Sequence, residues 1–221
     1  MSVMRNEDNT MKNVLIIGAM GYGREIFDFI QFLNSEEPQY NVKGFLDDRS
    51  NALDGFNGFP KILTSVENYE PLQEDYFICA VGEAKARWKY INMIKERNGT
   101  FVSLIHPASA ISDKAHIGEG VIIPRFCSIS NNVSIGDFSI MHPFCNIGHN
   151  ASVGRNTSIG SHCFIGGGAS VGDTTMVHPH ATILPHVVVG DNVVVGAGSV
   201  VIRNVKDNMT VFGVPAKRIE Y

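Results

Sequence analysis

The stretch CNIGHNASVGRNTSIG, residues 145–160, decides the fold. Three pairs, Ile147-Gly148, Val153-Gly154 and Ile159-Gly160, recur at intervals of six. Stepping by six from Ile105 to Val201 visits seventeen positions; sixteen are Ile or Val and the other is Met141. The residues two places earlier, from Ser103 through Cys127, Cys145 and Cys163 to Ser199, are small. A period held this long is the signature of a hexapeptide parallel β-helix. Each unit makes a short strand and a turn, and three units close a triangular coil of 18 residues. The β-branched residue points inward, where its stiff χ1 packs well. The small residue also points inward, where there is little room. Residues 18 apart then stack at about 4.8 Å, the strand spacing. No insertion breaks a unit, so the prism is expected to run smoothly for more than five coils.

Upstream the periodicity changes. Lys12–Gly18 reads as a buried strand ending in glycine, and Gly23–Leu33 as a helix with Ile26, Phe27, Ile30 and Leu33 on one side. Val42–Leu46 reads as a second strand and Tyr76–Val81 as a third. A helix through Trp88, Ile91 and Ile94 follows, and then a fourth strand over Phe101–Ile105. Alternating strands and helices mean an α/β unit with a parallel sheet. The expected organisation is a flexible N-terminus over 1–10, a Rossmann-like domain over 11–102, the β-helix over 103–206 and a tail over 207–221.

Bulk properties exclude some classes. Of the 221 residues 44% are apolar and 18% charged, and the net charge is −4. No basic stripe offers itself to nucleic acid. Val14–Met20 is too short an apolar run to span a bilayer, and nothing near it resembles a secretion signal. A cytoplasmic protein is expected. Cys127, Cys145 and Cys163, spaced by 18, read as small buried side chains rather than disulfide partners, and no CxxC suggests zinc.

Two places carry chemistry. The turn GAMGYG, Gly18 to Gly23, joins a strand to a helix. Its glycines let backbone approach an anion, and the helix N-terminus offers free N–H groups and a positive dipole. The spacing is G-x-x-G-x-G, not the dinucleotide fingerprint, so a nucleotide or its diphosphate is expected, with a ligand-free tight turn as the alternative. Asp47 and Asp48 follow the second strand, where ribose or base contacts fall in such sheets; a solvated turn is the plainer reading. Gly82 follows the third strand.

The other place is His149. Equivalent positions hold turn residues such as Asn131, Asp137, Arg155 and Asp173, so an ordinary corner histidine is the plain reading. One coil on, however, stands Gly167 within Gly166-Gly167-Gly168, an open ledge for a long thin ligand. His142, seven residues upstream, is expected on the same side of that corner. An imidazole suits general-base work near neutral pH. The pairs His142/His178 and His162/His180 lie two coils and one coil apart, which leaves a zinc site of the γ-carbonic-anhydrase kind as an alternative.

Taken together, the Gly-rich start, the passage Leu104-Ile-His-Pro107, the hexapeptides, the His149 corner and the ending Phe212-Gly-Val-Pro-Ala-Lys-Arg218 resemble bacterial sugar acetyltransferases. The likeness is to the nucleotide-amino-sugar N-acetyltransferases of the bacillosamine and perosamine type and to proteins named sialic acid O-acetyltransferases. It implies a left-handed coil, a homotrimer with sites between neighbouring prisms, acetyl-CoA as cosubstrate and no metal. It implies a UDP- or GDP-linked amino sugar bound by the N-terminal domain. The family's base falls on His149, its sugar-nucleotide contacts on Met20, Gly21, Tyr22, Asp47 and Asp48, and its CoA contacts near Ser158, Gly167, Pro179 and Ala197. Asn150 stands where the bacillosamine enzyme has a Glu after the base, so a ring-orienting amide replaces a charge. His142 stands where that relative has an amide. The expected activity is N-acetylation of a nucleotide-linked deoxy amino sugar for surface glycans. The alternatives are O-acetylation of a sugar or sialic acid, a zinc hydratase, and a non-catalytic sugar-nucleotide binder.

Overall fold

The computed structural model describes residues 11–219; the expected flexible N-terminus, 1–10, and residues 220–221 lie outside the described residues. The chain divides into two compact units between Val102 and Ser103.

The first unit is a five-stranded parallel sheet in the order β3-β2-β1-β4-β5. The strands are β1 (Lys12–Ile17), β2 (Tyr40–Leu46), β3 (Ile62–Thr64), β4 (Asp75–Cys79) and β5 (Thr100–Phe101). Helix α1 (Gly21–Glu36) follows β1 and helix α2 (Ala84–Glu96) follows β4. Val14, Leu15, Ile16 and Ile17 are fully buried, as a central strand covered on both faces requires. Helix α1 buries Ile26, Ile30 and Leu33, one stripe at helical spacing. Helix α2 starts at Glu83, whose carboxylate accepts from the Lys85 and Ala86 N–H groups at 2.9 and 2.6 Å. The sheet order reverses between β1 and β4, so the turns after these two strands open a crevice at their carboxyl ends.

Two sequence expectations change. Strand β3 gives no signal because it is a three-residue, half-buried edge. The continuous strand expected over Phe101–Ile105 is two strands in different sheets. Val102 N–H donates to Phe77 O of the first unit, and Leu104 N–H donates to Val121 O of the second, each at 2.9 Å. The backbone changes partners at Ser103, which a run of apolar residues cannot reveal.

The second unit is a left-handed parallel β-helix of hexapeptide repeats whose two-residue strands form three sheets. The first sheet climbs through Leu104–Ile105, Ile122–Ile123, Ile140–Met141, Ser158–Ile159, Met176–Val177 and Val194–Val195 to Thr210–Phe212; Lys217–Arg218 adds an antiparallel end. The second runs from Ala110–Ile111 through Asn146–Ile147 to Val200–Val201, and the third from His116–Ile117 through Ser152–Val153 to Val188–Val189. Register steps are 18 residues, as in Asn146 opposite Phe164. The last coil is shorter: Val194 lies opposite Thr210 and Val189 bridges Val205.

Ile123, Ile147, Ile159, Ile165 and Ile183 are completely buried along the axis. Ile105 is 39% exposed, because the first coil has a neighbouring coil on one side only. The small interior residues also stitch the coils. Ser139 Oγ donates to Gly154 O at 2.6 Å and accepts from Thr157 N–H at 3.1 Å; Thr157 and Thr175 repeat the pattern. The Cys145 and Cys163 thiols donate to Gly160 O and His178 O, each at 3.1 Å. Buried polar groups are satisfied where the corners would leave carbonyls stranded.

Candidate functional site

From Gly120 to Gly198 each prism corner turns through a residue in the left-handed region. Asn fits there well, because its short polar side chain tolerates positive φ. In the turn 148–151 the first corner residue is His149 and the second is Asn150, at φ 58°. His149 is exposed, and Asn150 Nδ2 lies 3.1 Å from its Nδ1. Asn150 Oδ1 in turn accepts from Asn132 Nδ2 at 3.0 Å. Gly168 N–H donates to His149 O at 2.8 Å, which ties this corner to the next coil.

The ring lies against Gly167. A Cβ on Gly167 would sit 2.9 Å from both Cε1 and Nε2 of His149, closer than packing allows. Glycine at this position leaves room for the imidazole to pack against the backbone. Asn132, one coil before Asn150, carries a signal in the sequence once the 18-residue step is known.

His142 lies elsewhere. It opens the turn that precedes Asn146–Ile147, whereas His149 belongs to the turn that follows it. With two-residue strands, seven residues cross a whole face, so the two histidines occupy successive corners rather than one. His162 and His180 stack face to face at 4.9 Å with 4° between ring planes, continuing a column from Phe126 and Phe144. No group of three His, Cys, Asp or Glu side chains among the described residues is arranged to hold a metal.

The residues expected to meet CoA are spread out. Gly167 shares the His149 corner. Pro179 and Ala197 are exposed, on another corner and one coil apart. Ser158 lies in Ser158–Ile159, where only 7% of it is exposed, so little of its surface is open to a ligand.

In the first unit the expected residues meet at the β1–α1 turn. Gly18 has φ +96°, and a Cβ on Gly23 would fall 1.9 Å from Gly18 O, so both glycines are needed to start α1 this close to the strand. Met20 is the N-cap, with no side-chain cap and no acid in the first turn, so no negative charge of the helix itself opposes an anion there. Gly21 has no neighbour within 4 Å of where a Cβ would be. Burial pushes the Tyr22 phenol pKa upward.

Asp47 is spent on scaffold. Its oxygens accept from Ala19 N–H at 2.8 Å and from Arg49 N–H and Nε at 2.9 and 3.1 Å. Burial alone would raise its pKa, but the bonds from Arg49 and Ala19 outweigh burial and hold the carboxyl below its ordinary value. Asp48 is exposed and accepts from Tyr90 Oη at 2.7 Å. That bond, followed by burial, raises Tyr90 to about 12. Gly82 is held by Arg87, a buried guanidinium whose Nη1 donates to Val81 O and Gly82 O at 3.1 and 3.2 Å. The crevice is lined by Gly18, Asp47, Asp48 and Val81, together with Arg49 and Tyr90. No motif marked the last two; they arrive through the loop after β2 and the middle of α2.

Residues 13–94 match the model of the PglD N-terminal domain, and residues 168–203 match the bacterial transferase hexapeptide repeats. UDP-N-acetylbacillosamine N-acetyltransferase of Bacillus subtilis (strain 168) is 31% identical over 117 residues, 51% of this chain and 51% of that one. The match thus spans about half the length of this curated relative. PerB from Caulobacter crescentus, solved in complex with CoA and GDP-perosamine, superposes with a TM-score of 0.85 at 25% identity, over 96% of this chain and 99% of that one. The acetyltransferase domain of PglB from Neisseria gonorrhoeae gives 0.83 at 25% identity, over 94% and 100%. The chain carries a PglD N-terminal domain followed by hexapeptide repeats, and it resembles sugar N-acetyltransferases, as the sequence likeness implied.

Proposed function

We propose that the chain is an acetyl-CoA-dependent N-acetyltransferase acting on the amino group of a nucleotide-linked deoxy amino sugar in surface-glycan biosynthesis. The observation that carries this reading is His149 lying on the bare Gly167 backbone, its ring met by Asn150. His149 removes a proton as the sugar nitrogen attacks the thioester carbonyl. The tetrahedral intermediate collapses, the C–S bond breaks, and the imidazolium returns the proton to the CoA sulfur. General-base help of this kind is worth about 10²–10⁴ in rate, and holding two substrates in line supplies much of the rest. No acyl-enzyme is required.

The β1–α1 turn takes the nucleotide diphosphate, with Met20, Gly21 and Tyr22 at the helix start and Asp48 and Gly82 beside them. Asp47 serves by holding Ala19 and Arg49 in place. Pro179 and Ala197 lie on a different corner from His149, which favours a homotrimer in which one copy's CoA corner faces the next copy's base. No helix among the described residues is long and apolar enough to cross a membrane.

The test is CoA release from acetyl-CoA over a panel of UDP- and GDP-linked amino sugars, their hydroxyl counterparts and free sialic acid. Turnover with one amino-sugar nucleotide is expected, giving an amide product by mass. Release only with hydroxyl acceptors, or with none, would sink the reading. Light scattering should give three chains per particle.

A further inference from the structure

The geometry points to Asn132 as the residue that decides which nitrogen of His149 carries the proton, acting through Asn150. The inference rests on the reading of His149 as the base. Asn132 and Asn150 are equivalent corner residues one coil apart, both at φ 58°, so their amides project alike and stack along the prism. They form a two-step ladder that ends on the ring: Asn132 Nδ2 to Asn150 Oδ1 at 3.0 Å, then Asn150 Nδ2 to His149 Nδ1 at 3.1 Å.

A carboxamide has one donating end and one accepting end, so such a ladder has a direction. Run toward the ring, it makes Nδ1 an acceptor. The neutral imidazole then carries its proton on Nε2 and is a hydrogen-bond donor there. With both amides turned by half a turn, Nδ1–H donates to Asn150 Oδ1, Asn150 Nδ2 donates to Asn132 Oδ1, and Nε2 keeps its lone pair. Only the second arrangement makes Nε2 a base. The two ends of an amide differ little in size, so the same backbone carries both.

Past Asn150 no side chain in the column fixes the direction, which leaves the choice to Asn132. One coil beyond Asn150 the column holds Gly168, which has no side chain to offer, and the His186 ring packs against the far side of that glycine. The Asn150 backbone N–H is already given to Asn131 O at 3.0 Å. Asn132 is therefore a positioning residue. It also bears on the missing acid: Asn132→Asp places an acceptor-only group at the head of the ladder. That carboxylate draws Asn150 Nδ2 toward itself and leaves Asn150 Oδ1 to take the His149 Nδ1 proton.

The experiment uses full-length protein, ¹⁵N-labelled, with His149 assigned by its loss in H149A. Long-range ¹H–¹⁵N spectra taken well above the imidazole's titration range report the tautomer. Asn132→Asp and Asn132→Gly both suit a positive φ, so neither burdens folding. N132D should hold the His149 ring in the Nδ1–H form, the form in which wild-type Nε2 acts as the base, and N132G should leave a mixture. Turnover should follow, with kcat in N132D at least about threefold above that in N132G and KM for both substrates within about twofold. Superimposable His149 spectra in the wild type, N132D and N132G would overturn the inference. A tautomer that shifts while kcat stays level across all three would uphold the ladder and remove His149 as the base, so the two failures read differently.

Discussion

Two corners of one prism carry exposed imidazoles, and they differ in what lies one coil away. At His162 and His180 the neighbours are other flat rings. Phe126, Phe144, His162 and His180 all take the left-handed corner position and stack, at 4.7 to 5.1 Å between centroids. Stacking compensates for forcing bulky residues into positive φ. At His149 the imidazole occupies the first corner position, the left-handed strain falls on Asn150, and the next coil presents bare glycine. The same side chain on the same scaffold is a stacking element in one column and a candidate base in the other.

The sharpest way to break this comparison is to remove each ring in turn. His149→Ala should lower kcat by at least about 10² with an unchanged melting temperature, while His162→Ala stays within about twofold on kcat. Equal losses, measured by CoA release and calorimetry, would mean the corners are not different in kind. A smaller effect comes from the glycines. Gly167→Ala drives a methyl against the ring and should lower kcat about tenfold through misplacement of the base. Gly198→Ala, where a Cβ meets nothing within 4 Å and φ is +67°, should leave kcat alone and cost about 1 kcal/mol in stability.

Phe144→Ala sharpens the stacking half of the comparison. Deleting a half-exposed ring between Phe126 and His162 should cost about 1 kcal/mol in a denaturant titration without touching turnover. A larger loss of activity than of stability would place that column in the site. The least change is expected at the interior cysteines. Burial raises the Cys163 thiol to about 11, so it stays protonated at neutral pH and native protein should resist iodoacetamide there. Rapid alkylation in the folded state would show that the core opens.

The solenoid was legible because its period is rigid. With a step of six, Ile147 and Ile159 can face only the axis, and with a step of 18 Gly167 must lie beside His149. Strand β3 was not legible, since three half-buried edge residues carry no pattern. Neither was the break at Ser103, where apolar residues continue while the backbone changes partner. The left-handed phenylalanines escaped because no propensity puts Phe126 or Phe144 at positive φ; the corner of the repeat imposes it, as it does at Phe138. Arg49 and Tyr90 reach the crevice through a loop and a helix turn whose courses depend on packing.

By itself the sequence determined the coil, its inward residues and the pairing of positions 18 apart, because a repeat that short leaves a closed prism one way to bury its β-branched side chains. The tertiary structure decided the rest. It put His142 on a different corner from His149, committed Asp47 to the backbone of Ala19, and lined the Asn132 and Asn150 amides up on the His149 ring. Those outcomes depend on side-chain direction and hydrogen-bond partners, which are fixed only when distant backbone segments come within about 3 Å.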